Sequence, residues 1–89
     1  MDEKAVVEYL LLLLEQNNVA IRTEALGGRG GGLCKLKNRA VVFVDSEASA
    51  ADTAAMCAHA VNELVETEKM YIVPQVRDFL EKTHVDRLT

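Results

Sequence analysis

All five glycines of the chain stand within six residues, Gly27-Gly28-Arg29-Gly30-Gly31-Gly32. Glycine takes positive φ values at no steric cost but loses more backbone entropy on folding than any other residue. No helix or strand is expected to run through such a segment, so it divides the chain into two flanks. Both flanks read as strands. In residues 19–26, Val19, Ile21, Thr23 and Ala25 alternate with Ala20, Arg22, Glu24 and Leu26, the period of a strand with one wet face. After the glycines, residues 33–37 and 39–44 read as two strands around a tight turn at Lys37-Asn38. Val41-Val42-Phe43-Val44 is apolar on both faces, which places that strand in the middle of a sheet.

The loop has two readings. One is a strand connection that needs positive φ. The other is a nest of backbone N–H groups around an anion, formed by Gly28, Arg29, Gly30 and Gly31, with Lys35 adding charge. Neither common phosphate motif is met. Gly27 and Gly32 have the Walker A spacing, but Leu33-Cys34 stands where Lys and Ser or Thr are required. From Gly28 and Gly30 the third glycine of a dinucleotide fingerprint falls on Leu33. The loop also leads into a strand, so no helix dipole faces a ligand there.

Residues 2–16 read as a helix capped by Asp2, with Glu3 in its first turn. Its apolar side chains, from Val6 to Leu14, cover an arc of about 200°, against the 100° or so of a one-sided helix. Leu12 falls outside even that arc, beside Glu8 and Glu15. Such a helix is either sandwiched within the domain or packed on another subunit. Asn17-Asn18 ends it, because Asn tolerates the left-handed conformation.

Ser49, with Asp52 three residues on, starts a helix over residues 50–66. Its core face carries Met56, Cys57, Ala60, Val61 and Leu64, and its wet face His59, Asn62, Glu63 and Glu66. Met70–Val73 allows a fourth short strand, which would lie parallel to the central one, and Pro74 opens a short closing helix. The expected fold is α+β, a single domain over residues 1–89. Its order is a helix, a three-stranded antiparallel sheet, a second helix and a short C-terminal helix.

Catalytic constellations are poor. Cys57 and His59 lie about 200° apart around their helix, and no paired CxxC supplies zinc spacing. His59-Ala-Val-Asn-Glu63 is similar to the helix of zincin-like peptidases that comes after a three-stranded sheet. It has Ala60 for the glutamate base and Glu63 for the second histidine, which removes that mechanism. No Gly-x-Ser-x-Gly elbow occurs, and Ser46 and Ser49 suit helix caps. An enzyme is therefore disfavoured, and neither a metal nor a cofactor is expected.

Net charge is −4, unevenly spread: residues 1–18 carry −3, residues 19–44 carry +4 and residues 45–89 carry −5. One Arg-Gly-Gly without interleaved aromatics is not an RNA-binding tail, so nucleic acid is not an expected partner. The longest apolar run, Tyr9 to Leu14, is far short of the ~20 residues that span a bilayer. With an acidic N-terminus and two cysteines, the chain reads as cytoplasmic with reduced thiols.

Three stretches, Leu26 to Cys34, Val41-Val-Phe-Val-Asp45 and Val73-Pro-Gln-Val-Arg77, resemble small bacterial proteins with an LGGRGGGLC-type glycine loop and no assigned function. The resemblance covers about residues 20–80 and implies only that the glycine loop, Cys34 and residues 74–77 belong together. The reading that emerges is a small non-enzymatic binding or regulatory module. It is expected to form a homo-oligomer, a dimer at its simplest, through the N-terminal helix with Tyr9, Leu12 and Leu13 at the contact, and to leave room for a protein partner. The alternative is a small anion- or nucleotide-binding protein that uses the glycine loop.

Overall fold

A computed structural model describes residues 1–88, with side chains through His84. Helix α1 spans Glu3–Gln16. Asp2 caps it by accepting from Ala5 N–H at 2.8 Å. Asn18 takes a φ of 64° at its end, as the Asn-Asn pair leads one to expect. Strands β1 (Ala20–Glu24), β2 (Gly32–Leu36) and β3 (Arg39–Asp45) form one sheet. Helix α2 spans Ala50–Leu64, and the Ser49 hydroxyl accepts from Asp52 N–H at its start. A 3₁₀ turn at Thr67–Lys69 leads to helix α3, Pro74–Leu88.

The α+β class holds, but the sheet is mixed. Its order is β1-β3-β2, with β1 parallel to β3 and β2 antiparallel to it. An all-antiparallel sheet assumes that successive strands are neighbours, and β1 and β2 are not. The doubly apolar strand β3 takes the centre, which leaves both less apolar strands at edges. Residues 25–38 thus make the long crossover that a parallel pair requires.

Two further expectations are corrected. Residues 70–73 form no strand. Val73 N–H donates to the Tyr9 hydroxyl at 3.2 Å, and the Arg77 guanidinium donates to the carbonyls of Thr67 and Met70 at 2.9 and 3.1 Å. Side chains thus hold this segment in place of a sheet ladder. The closing helix is also not short, at 15 residues.

The core lies between the helices and one sheet face. Leu10 and Leu14 of α1, Val61 of α2, Val76 of α3 and Val42 of β3 are fully buried. Each such burial contributes about 1.5–3 kcal/mol. Register places Ile21 and Leu33 on either side of Val42, and all three belong to or pack against that core. Because strand side chains alternate, Val41 and its cross-strand partners point the other way. Ala20, Cys34, Val41 and Phe43 therefore share the opposite face, with Leu36 beside Arg39 at its end. None of these five apolar residues belongs to the core or packs against it.

Candidate functional site

The glycine loop wraps the C-terminal end of β3, where Asp45 is only 2% exposed. Asp45 Oδ1 accepts from Leu26 N–H at 3.0 Å and from Glu47 N–H at 2.9 Å, and Oδ2 accepts from Gly30 N–H at 3.0 Å. Glu47 Oε1 accepts from Gly27 N–H at 2.8 Å. Burial alone pushes the Asp45 carboxyl up, but the amides of Glu47, Leu26, Gly30 and Gly28 outweigh it and hold the group below its ordinary value. The loop is an anion nest, and the anion it holds is the chain's own Asp45. Strand periodicity marks Asp45 only as the close of a strand. An aspartate directly after an apolar strand, in a chain with a glycine run, is the signal that could have found it.

Four glycines have a geometric reason. Gly27, Gly28 and Gly30 have φ of 78°, 80° and 84°. Gly31 is not in that region but passes close to β3. A Cβ on it would stand 1.6 Å from the Phe43 carbonyl oxygen and 3.2 Å from the Met56 methyl. Gly32 has neither constraint. Of the anion-site candidates, Gly28, Arg29, Gly30 and Gly31 lie in this loop. Lys35 does not join them. It sits three residues along β2 from Gly32, about 10 Å away, beside Ala40.

The oligomer candidates separate as well. Leu13 is in the core, 6% exposed, and Tyr9 is half-buried with its hydroxyl on Val73 N–H. Only Leu12 faces outward, at 57% exposed. The wide apolar arc of α1 is thus used within the chain, against α2, β1 and the segment that Tyr9 anchors. Of the two readings of that arc, the sandwiched helix is the one observed.

A stripe of apolar side chains not packed on the core lies on the sheet, apart from the singly exposed Leu12 and Tyr71. Val41 and Phe43 run down the centre of the open face, half-buried among their neighbours. Small residues flank them: Ala20 and Cys34 beside Val41, and Gly32 beside Phe43. Leu36, 56% exposed, closes one end. Arg22 and Glu24 form a solvated ion pair at 3.2 Å on the β1 side, and Arg39 stands at the opposite end. Cys34, half-buried, is turned to this open face by its pairing with Val41.

Two hollows lie on the surface of the described residues. One, of about 480 Å³, lies between the end of α2 and α3, lined by Asn62, Glu68, Arg77, Glu81 and His84 among others. The other, of about 260 Å³, lies at the hairpin, between Lys35, Lys37, Asn38, Arg39 and Ala40 on one side and Leu64 on the other. Cys57 is buried in the core, and burial pushes its thiol up to about 11. His59, which its helix position reads as solvated, is half-buried, and its Nδ1 has no hydrogen-bond partner among the described residues. Among the described residues, no three His, Cys, Asp or Glu side chains are grouped to hold a metal, and no helix is long and apolar enough to cross a membrane.

Comparisons with protein-family models, with curated proteins and with solved structures find no match to this chain.

Proposed function

We propose that the chain is a small non-enzymatic binding module that self-associates, and that the contact is the open sheet face rather than α1. The observation that supports this is the stripe Val41, Phe43, Cys34 and Leu36 on the face with no helix packed against it. A sheet normally buries its apolar face against a second layer. Here the helices cover one face, while the other stays apolar along its centre. A second copy turned end for end would bring Glu24 of one sheet toward Arg39 of the other, since these charges stand at opposite ends of the strands. On this reading the protein is cytoplasmic with both cysteines reduced, and the glycine loop is a scaffold that fixes β2 and β3 in place.

Thiol labelling tests the contact. Cys34 lies on the proposed interface, while Cys57 is buried and serves as an unreactive internal control. The rate of maleimide addition to Cys34 is expected to fall as protein concentration rises from nanomolar to tens of micromolar. A rate that does not change with concentration contradicts the proposal.

A further inference from the structure

We propose that the groove at the β2–β3 hairpin is a docking site for an acidic, extended peptide segment of a partner protein. Lys35 and Lys37 line this groove of about 260 Å³, and neither makes an ion pair among the described residues, while Arg39 borders it from the other face of the sheet. Its far wall is apolar, formed by Leu64 of α2 with Ala40 below. Cations on one side and an aliphatic wall on the other suit a segment that alternates acidic and aliphatic residues.

Two independent features favour this occupant, one for its extended backbone and one for its acidic charge. First, β2 is an edge strand, and residues 32–36 make no backbone hydrogen bonds outside the β3 pairing among the described residues. An extended peptide can add to such an edge as a fourth strand, with main-chain bonds for affinity and alternate side chains for specificity. Second, Lys37 holds a φ of 57° at the first position of the two-residue turn. Glycine or asparagine fills that conformation at lower cost, so the turn holds a cation where conformation alone would not choose one. The charge pattern separates a peptide from a nucleic acid. The whole chain carries −4, and Lys35 and Lys37 are a local pair of cations without ion pairs among the described residues. A dense phosphate backbone meets that net repulsion over its full length, whereas a short acidic segment meets only the hairpin.

The test is a ¹⁵N-resolved NMR titration of the full chain with a capped octapeptide of alternating Glu and Val. Controls are the Gln–Val counterpart and an oligothymidylate. The expected result is shift changes confined to residues 32–40 and Leu64 with the Glu–Val peptide. These changes should shrink at high salt, as the Debye length falls from about 8 Å to about 3 Å. Replacing both Lys35→Glu and Lys37→Glu should weaken binding by about tenfold. Both positions are exposed, so the fold should survive, which an unchanged far-UV CD spectrum checks. No shifts with the Glu–Val peptide, equal shifts with the Gln–Val peptide, or tighter binding of the oligothymidylate at the same residues would each overturn the proposal.

Discussion

Asp45 is a buried carboxylate neutralised by amides, with no cation paired to it among the described residues. Because its folded pKa lies below the ordinary 3.8, the group adds stability that is complete above that value. The stability is lost as pH falls through the lower folded value. Thermal unfolding measured from pH 7 down to pH 2 should therefore show an acid-side fall in Tm that Asp45→Asn reduces. That variant would also start from a Tm several degrees lower, since its amide sets a donor against the Gly30 N–H. An unaltered acid limb in the variant would show that Asp45 is not the titrating group. The glycines divide sharply at the same scale. Gly31→Ala must displace β3 backbone and is expected to cost more than about 4 kcal/mol or abolish folding. Gly30→Ala meets only an unfavourable φ, at about 1–2 kcal/mol. Gly32→Ala meets neither and should stay within about 1 kcal/mol of the wild type. Urea denaturation of the three variants checks that order, and a Gly32 variant as unstable as the Gly31 variant would contradict it.

Helix α1 shows how one element settles its own surplus of apolar surface. Leu13→Ala, in the core, should cost about 2–5 kcal/mol, while Leu12→Ala should change stability by less than about 0.5 kcal/mol. Tyr9→Phe should cost about 1 kcal/mol, because Val73 N–H loses its acceptor. Amide exchange at Val73 reads that loss directly, and unchanged protection would show another acceptor at work. Much of this element layer is legible in the sequence. Asp2 and Ser49 mark helix starts, Asn17-Asn18 marks an end, and the period-two stretches mark strands within a residue or two. Strand order is not legible, because alternation records which face a residue takes and not which strand lies beside it. The extended segment at residues 70–73 misleads for a related reason. A residue before proline is extended whether or not it joins a sheet, and here Tyr9 and Arg77 supply its partners from outside the segment.

At the scale of the whole molecule, helices cover one face of the sheet and leave the other apolar at its centre. The basic stretch of the chain, residues 19–44, is the sheet with its connecting loops, and the acidic stretches are mostly helical. The candidate site is only half legible for this reason. The apolarity of Val41 and Phe43 is visible in the sequence, but it reads as burial in a sheet centre rather than as a face left open. Native mass spectrometry of the wild type, Leu36→Glu and Leu12→Asp at low micromolar concentration tests the contact most directly. Both substitutions fall on side chains more than half exposed, so neither disturbs the core. The wild type and Leu12→Asp should appear as multiples of 9.8 kDa, and Leu36→Glu as a single 9.8 kDa species. A wild type that is monomeric throughout, or an oligomer that Leu12→Asp dissolves and Leu36→Glu leaves intact, would contradict self-association through the open sheet face.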